Sequence, residues 1–261
     1  SAHSSEEWTK LHGSKQLRLG IWSIAFATAC QVLYIPAIRV FFRERRFTCF
    51  KIMLLLAIAD MGGLACFGTL FGVTMVRGMV FCSNPVLAWI VGSGEGRPSS
   101  MVMLLTLAYG LFESLFTRPP VPNSLHQFCA FDPFIPGHAP NEYPNRPNMI
   151  HNICLATSLI ALYSLLCAII RAKSAQITHH HSSSAAALQA KIFTQATIVC
   201  FLFGASSTVW LVQEFLFEPP PSVLVAGMIM VQAVHGLPCL IYIALNQAVR
   251  DEFRTIVSSV P

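Results

Sequence analysis

Seven apolar blocks separated by polar joints constrain the fold of this chain more than any other feature. A helix needs about 20 apolar residues to cross a bilayer, and the third and fourth blocks are shorter than that. Lipid offers the backbone no hydrogen-bond partner, so such blocks cross as helices. We therefore predict an all-α, polytopic membrane helix bundle over residues 19–249. Its expected spans are residues 19–42, 52–76, 84–94 (partial), 101–116, 150–170, 192–217 and 222–246.

The balance of apolar and charged residues supports a membrane location and excludes several functions. Apolar residues make up 54% of the chain and charged residues 11%, whereas a soluble domain has about 25% charged residues. The basic residues flank the apolar blocks and form no stripe, so we expect the lipid bilayer as a partner and no nucleic acid. We find no nucleophile elbow, phosphate-binding loop or zinc-protease motif. We expect neither enzyme activity nor a cofactor.

The distribution of Lys and Arg predicts the orientation in the membrane. Cytoplasmic loops carry an excess of these residues. The joint between the first two spans contains Arg43, Arg45, Arg46 and Lys51, and its side of the membrane holds most of the other basic residues. We therefore expect the plasma membrane, an extracellular tail at residues 1–18 and a cytoplasmic tail at residues 250–261.

Asp60 lies near the middle of the second block, in the run KIMLLLAIADMGGL. An acidic residue at that depth is costly, and it usually faces a bundle interior, a cavity or an ion. Two interpretations stay open: a carboxyl group satisfied by neighbouring helices, and a sodium- or proton-linked switch point. Gly62 and Gly63 follow Asp60 and permit close approach of another helix.

The last block has features of a moving helix. Pro238 removes a backbone hydrogen bond inside it, and Tyr242 and Asn246 stand one turn apart on one face. A kinked span with polar residues and a basic tail favours a moving part over a passive anchor. The alternative for Tyr242 is a phenol that packs near the membrane interface.

Two of the nine cysteines, Cys82 and Cys129, fall on the predicted extracellular side. A disulfide persists in that environment, whereas Cys49 lies on the reducing side and the other six lie in apolar blocks. We predict a Cys82–Cys129 disulfide that pins the long loop before the fifth block over the helix ends.

Two groups of histidines are poor candidates for a metal site. His179, His180 and His181 are adjacent, without a Cys or carboxylate nearby, so we expect a flexible polar loop that includes residues 182–184. Histidines in the predicted extracellular loop follow no ligand spacing. We expect no metal site.

Five runs of the sequence carry a family resemblance. They are LYIP at Leu33–Pro36, FKIMLLLAIADM at Phe50–Met61, FCSNP at Phe81–Pro85, YGLFESLFTRPPVPNS at Tyr109–Ser124 and HGLPCLIYIALNQAVR at His235–Arg250. On these runs the chain resembles the nematode serpentine chemoreceptors of class T, a family of seven-helix G-protein-coupled receptors. The resemblance implies a chemosensory receptor that takes an unknown small ligand from outside and acts on a heterotrimeric G protein.

The resemblance also implies a way of switching. A ligand would enter between the outer ends of the third, fifth, sixth and seventh helices, under the loop that carries Cys129. Pro238 would supply a hinge, and Tyr242 and Asn246 would supply polar contacts that change partners. Asp60 would be their counterpart in the bundle interior.

The chain departs from the family pattern after the start of the third helix. The third block ends in GSGEGRPSS, where Gly94, Gly96 and Pro98 break a helix, and no inner-face triplet like Asp-Arg-Tyr follows. We predict shortened third and fourth helices and a missing internal segment. Because that segment would line the G-protein docking cavity, an alternative is a non-signalling truncated receptor, or another membrane protein such as a small transporter.

Overall fold

The computed structural model describes residues 4–87, 119–132, 134, 135, 137, 142, 143, 145–158, 161, 183–216 and 220–259. The predicted fourth span, residues 101–116, lies outside the described residues, as do most of the third span and the later part of the fifth. The histidine run at 179–181 lies outside them as well.

A short helix, α1 (Ser5–His12), precedes the first span. Ser4 caps it, because the Ser4 hydroxyl accepts a hydrogen bond from the Glu7 backbone N–H at 3.3 Å. In return, the Glu7 carboxylate accepts one from the Ser4 backbone N–H at 2.7 Å. Such a reciprocal pair satisfies two donors that a helix start leaves open. The predicted tail at residues 1–18 therefore contains a capped helix.

The first span is α2 (Leu17–Arg43), close to the predicted residues 19–42. Its 27 residues give about 40 Å at a rise of 1.5 Å per residue, more than the roughly 30 Å of a bilayer core. Pro36 is buried inside it, and the helix continues on both sides.

The second span is built from three consecutive helical segments. They are α3 (Thr48–Gly63), a π-helical segment (Leu64–Leu70) and α4 (Phe71–Arg77). Residues Phe50–Arg77 are long and apolar enough to cross a membrane. Gly78 ends the span with a left-handed backbone, φ 70°, a conformation that glycine adopts without steric cost.

A β-hairpin lies in the loop before the fifth predicted span. Strand β1 (Val121–Asn123) pairs antiparallel with β2 (Phe128–Ala130). The Asn123 side-chain oxygen accepts from the N–H groups of Leu125 at 2.9 Å and His126 at 3.2 Å, which shapes the turn. The all-α prediction did not include this hairpin, because three-residue strands leave almost no periodic pattern.

The hairpin lies at the end of the bundle that also carries α1, which we call the hairpin end. The Ser124 N–H donates to the Met79 carbonyl at 3.2 Å, just beyond α4. The Ser14 N–H donates to the Ser124 hydroxyl at 3.1 Å. A 3-10 turn (Phe81–Ser83) follows α4 at the same end.

The later spans begin earlier than, or close to, their predicted bounds. Residues 146–158 are helical, so the fifth predicted span starts before residue 150. Helix α5 (Ser183–Phe215) contains most of the predicted span at 192–217 but begins earlier, so its first residues, which were expected to form a loop, are helical. Helix α6 (Pro221–Leu245) agrees with the prediction of 222–246. Proline at the first position suits a helix start, since its missing N–H would have no partner there.

The last helix is α7 (Gln247–Ser258), an amphipathic helix that begins directly after α6. Arg43, at the end of α2, contacts Glu252 of α7 at 3.4 Å. This contact ties α7 to the end of the bundle opposite the hairpin, which we call the α7 end.

Helix α2 packs against both of the other long apolar spans. Within the part of the chain that the structure describes, three helices are long and apolar enough to cross a membrane: α2, the second span and α6. A Cβ on Gly68 would lie 2.3 Å from the Ala27 Cβ, so the π-helical segment approaches α2 through a glycine. Close backbone approach of this kind is how helices associate in lipid, where burial from water provides no drive.

Candidate functional site

Three side chains from three different spans meet in the core of the bundle: Tyr34 of α2, Asp60 of α3 and His235 of α6. The Tyr34 hydroxyl lies 3.0 Å from Asp60 Oδ2 and 2.9 Å from the backbone carbonyl of His235. The His235 ring nitrogen Nδ1 lies 3.1 Å from Asp60 Oδ1. We call these three residues the polar cluster.

The polar cluster is shielded from solvent. Asp60 is 4% exposed, His235 8% and Tyr34 0%. A carboxyl group in such a place needs partners, because an unpaired charge at low dielectric is strongly disfavoured. Each Asp60 oxygen has a hydrogen-bond partner: the imidazole of His235 at Oδ1 and the phenol of Tyr34 at Oδ2. Among the described residues, no group of three or more His, Cys, Asp or Glu is placed to hold a metal ion.

Tyr34 reaches α6 in the turn that Pro238 weakens. Pro238 has no N–H, so the carbonyl one turn earlier loses its helical donor, and the ring pushes the turn open. In the same turn, the carbonyl of His235 accepts a hydrogen bond from the Tyr34 hydroxyl. A neighbouring helix thus supplies a donor to the turn that the proline weakens.

Glycine makes room for the imidazole. A Cβ on Gly63 would lie 2.7 Å from three atoms of the His235 ring, whereas a Cβ on Gly62 would meet no atom of the described residues within 4 Å. Phe67 covers the imidazole from the π-helical segment, with the two rings almost parallel and their centroids 6.3 Å apart. Of the two glycines expected to permit helix approach, Gly63 is the one at this contact.

Tyr242 packs beside the polar cluster, toward the α7 end. Its ring meets the Tyr34 ring edge-on at 6.3 Å and the Phe41 ring edge-on at 5.1 Å. Tyr242 is 3% exposed. It therefore lies in an aromatic core formed by α2 and α6, and its ring supports the position of Tyr34.

Asn246 stands one turn after Tyr242, and its N–H donates to the Tyr242 carbonyl at 2.9 Å. It ends α6 and caps α7, and its side-chain oxygen accepts from the Val249 N–H at 3.4 Å. Asparagine is a preferred residue for this capping role. The exchange of polar contacts between Tyr242 and Asn246 stays a prediction from the sequence.

A second polar contact joins α6 to α2 and lies closer to the hairpin end than the polar cluster does. The Gln232 amide nitrogen of α6 donates to the Ser23 hydroxyl of α2 at 3.0 Å. Within the described residues, the buried Gln232 side-chain oxygen has no hydrogen-bond partner. Buried acceptors without a partner are rare in folded proteins.

Cys82 and Cys129 come to the same end of the bundle, as the predicted disulfide requires. Cys82 lies in the 3-10 turn and is a free thiol. Cys129 lies buried on β2, opposite Pro122 of β1. The disulfide stays a prediction from the sequence.

The sequence analysis missed Tyr34, His235, Ser23 and Gln232. His235 could have been found, because the reasoning that singled out Asp60 applies to any titratable residue inside a span. Tyr34 carries a weaker signal, a phenol two residues before Pro36 in an apolar helix. For Ser23 and Gln232 a single sequence offers no signal beyond polarity.

Comparisons with known proteins agree with this architecture. The family model for the serpentine type 7TM GPCR chemoreceptor Srt matches residues 2–97 and 94–260. The chain is 26% identical to "Serpentine receptor class T-55" of Caenorhabditis elegans, over 97% of this chain and 78% of that protein. Both the family and this relative are receptors, not enzymes.

The comparisons also bear on the middle of the chain. The two matched parts of the family model meet at residues 94–97, where the third block stops. The alignment with the class T relative covers 289 residues, more than the 261 of this chain, so the relative contains residues without a counterpart here. With matches over nearly its full length, this chain belongs to the Srt family of serpentine seven-transmembrane chemoreceptors.

Proposed function

We propose that this chain is a chemosensory receptor of the plasma membrane that binds a small ligand from outside. The hairpin end faces outside and the α7 end faces the cytoplasm. The basic residues at the α7 end support this orientation, since Arg39, Arg43, Arg45 and Arg46 lie at or just beyond the end of α2, and cytoplasmic flanks are rich in such residues.

The observation that carries the proposal is the position of the Tyr34 hydroxyl between two acceptors on two helices. The hydroxyl has one hydrogen, so the Asp60 carboxylate and the His235 carbonyl compete for it. A small displacement of α6 relative to α3 favours one acceptor over the other. The polar cluster thereby has two arrangements, one with the Tyr34 hydrogen on Asp60 and one with it on the His235 carbonyl. A switch requires two such arrangements.

A ligand shifts such an element only by its difference in affinity for the two arrangements. Coupling between two sites is typically about 1–3 kcal/mol, which is of the order of one or two hydrogen bonds. The exchange of one buried hydrogen bond at Tyr34 is therefore large enough to matter. Pro238 lowers the resistance of α6 to bending at the same level.

A heterotrimeric G protein is the proposed cytoplasmic partner. A second candidate is a membrane protein derived from a receptor that no longer signals. The specific observation that favours it is the meeting of the two matched parts at residues 94–97, in the third helix. In the family that helix continues to the cytoplasmic face, where the G protein docks.

Nucleotide exchange on purified heterotrimeric G proteins separates the two candidates. The full chain is reconstituted in lipid nanodiscs, and GTP-analogue uptake is measured alone and with pools of small organic compounds. We expect Tyr34→Phe to change the exchange rate about two- to tenfold, the effect of one hydrogen bond. Tyr143→Phe, outside the polar cluster, serves as the control.

A second version of the chain sharpens this experiment. It carries the corresponding segment of the class T relative inserted after Gly94. Exchange by both versions supports a signalling receptor. Exchange by the extended version alone supports the second candidate for the natural chain. Absence of exchange by both, with the protein correctly inserted, contradicts the receptor proposal. Detection of an N-terminal epitope on intact cells, and of a C-terminal one only after permeabilisation, tests the orientation.

A further inference from the structure

We propose that the hairpin end carries a binding site for a small, uncharged, single-ring molecule with a hydroxyl or carbonyl group. The site is a cavity of about 180 Å³ between α1, the 3-10 turn and the β-hairpin. It is separate from the space between the spans in which the polar cluster lies. The inference rests on the proposed function only in that the hairpin end faces outside.

Helix α1 forms one wall of the cavity. Trp8 and His12 of α1 line it, and their rings lie 5.0 Å apart. The Ser5 hydroxyl donates to the Ser83 carbonyl, and the Thr9 hydroxyl donates to the Ser83 hydroxyl at 2.7 Å. None of the residues of α1 is buried. Two hydroxyls of α1 thus bond to Ser83, and these contacts position α1 over the cavity.

The hairpin forms the opposite wall. His126 lies in its turn and stacks on Phe134, with ring centroids 4.4 Å apart and an angle of 28°. Leu125 and Asn123 also line the cavity. His126 thus already stacks with one flat ring, that of Phe134. Aromatic and aliphatic groups line much of the rest of the cavity.

The lining explains why the ligand is uncharged. None of the eight lining residues is Asp, Glu, Lys or Arg. Burial lowers the pKa of His126, and Asp132 offsets this only in part. The imidazole is then neutral, with one nitrogen that donates and one that accepts. A hydroxyl or carbonyl finds a hydrogen bond there, whereas a charged ligand would find no counter-charge among the residues that line the cavity.

The volume limits the size of the ligand. At about 180 Å³, the cavity is smaller than the roughly 300–1,000 Å³ of cavities that take drug-sized ligands. We therefore expect a ligand of about one six-membered ring with a short substituent.

Fluorine NMR on the full chain in nanodiscs tests the proposal. Three probes share one ring and differ in charge: para-fluorobenzyl alcohol, para-fluorobenzoate and para-fluorobenzylamine. Empty nanodiscs give the background from lipid. We expect broadening and a saturable shift for the alcohol, and none above background for the two ions. The measurement needs neither a G protein nor a defined orientation, so its failure is distinct from failure of the proposed receptor function.

Matched variants locate the binding. His126→Phe keeps the stacked ring but removes the hydrogen bond, so we expect affinity for the alcohol to fall about two- to tenfold. Trp8→Ala opens the α1 wall and lowers affinity as well. His151→Phe, in the helical residues 146–158, and Trp22→Ala, on the exposed face of α2, are the controls and leave it unchanged.

Three results would overturn the proposal. One is the absence of alcohol binding above empty nanodiscs. Another is equal binding by the wild type, His126→Phe and Trp8→Ala, which places the probe elsewhere. The third is preferred binding of either ion. Because no residue of α1 is buried, Trp8→Ala keeps the test valid even if His126→Phe fails to fold.

Discussion

The imidazole of His235 lies 3.1 Å from the carboxylate of Asp60, although 175 residues separate them in the chain. This contact joins the second span to the last one in the core of the bundle. Tyr34 of the first span reaches the same carboxylate. Three of the helices that cross the membrane are thereby joined at one point by polar groups.

Removal of Asp60 alone should destabilise the protein more than removal of the whole pair. Asp60→Leu leaves a buried imidazole without its acceptor, and breaking a buried pair costs about 3–5 kcal/mol. The double variant Asp60→Leu/His235→Phe leaves no unpaired group and should recover part of that loss. Reversible unfolding in mixed detergent micelles measures the free energy of unfolding of the wild type, the two single variants and the double variant. Effects that add within about 0.5 kcal/mol would mean that the two residues do not interact.

Gly63→Ala should destabilise the bundle and Gly62→Ala should not. A Cβ at position 63 overlaps the His235 ring, whereas position 62 is open. We expect a cost of about 1–3 kcal/mol for Gly63→Ala. Gly62→Ala should be neutral or stabilising by up to about 1 kcal/mol, since alanine favours helix.

The cause of the Gly63→Ala effect can be isolated. His235→Ala removes the ring that the new methyl group meets, so in that background Gly63→Ala should cost much less. Melting temperatures of the four proteins in one detergent provide the comparison. An unchanged cost without the imidazole would show that the clash lies elsewhere.

Ser23→Ala and Gln232→Leu should differ in the size of their effects, although they break the same hydrogen bond. Ser23→Ala leaves the Gln232 amide nitrogen buried without its acceptor, in a side chain whose oxygen has no partner among the residues that the structure describes. We expect a loss of about 1–3 kcal/mol. Gln232→Leu removes both polar groups of the amide and leaves only the Ser23 hydroxyl, which can turn to a backbone carbonyl of its own helix, so its cost should be smaller. The free energy of unfolding in micelles checks the order, and a larger loss for Gln232→Leu would refute it.

Asn246→Ala should weaken α7, and Asn246→Ser should not. Alanine cannot accept the Val249 N–H and costs about 1 kcal/mol at a helix start, whereas serine is an equally good cap. Amide hydrogen exchange over residues 247–258 reports the stability of α7 directly. If serine were as damaging as alanine, Asn246 would have a role other than capping.

His126 should titrate below the usual value for histidine, which is about 6.5. Burial lowers its pKa and the Asp132 carboxylate partly opposes this, so Asp132→Asn should lower the pKa further. His12 and Cys82 face the same cavity and carry no fixed negative charge at neutral pH. The folded state favours the neutral imidazole, so its contribution to stability is present above pH 6.5 and is lost as the pH falls through the folded-state pKa. NMR of the imidazole follows this titration, and a midpoint above 6.5 would contradict the burial of His126.

The bounds of α2 and α6 lie close to those that the sequence by itself predicted. Lipid satisfies no backbone group, so an apolar run of sufficient length forms a helix wherever it stands, and α2 and α6 end near their predicted bounds. The family resemblance was also readable, because it rests on contiguous runs of residues.

The partners of Asp60, the capping role of Asn246 and the cavity under α1 were decided only by the tertiary structure. Asp60 was singled out because an acidic side chain in lipid is energetically costly. That cost does not indicate which helices supply its hydrogen-bond partners. Tyr34 and His235 meet Asp60 across 26 and 175 residues, and such contacts depend on how whole helices pack. The cavity joins residues from three separate segments. Local sequence sets where a helix forms, whereas close packing between distant segments sets which polar groups find each other.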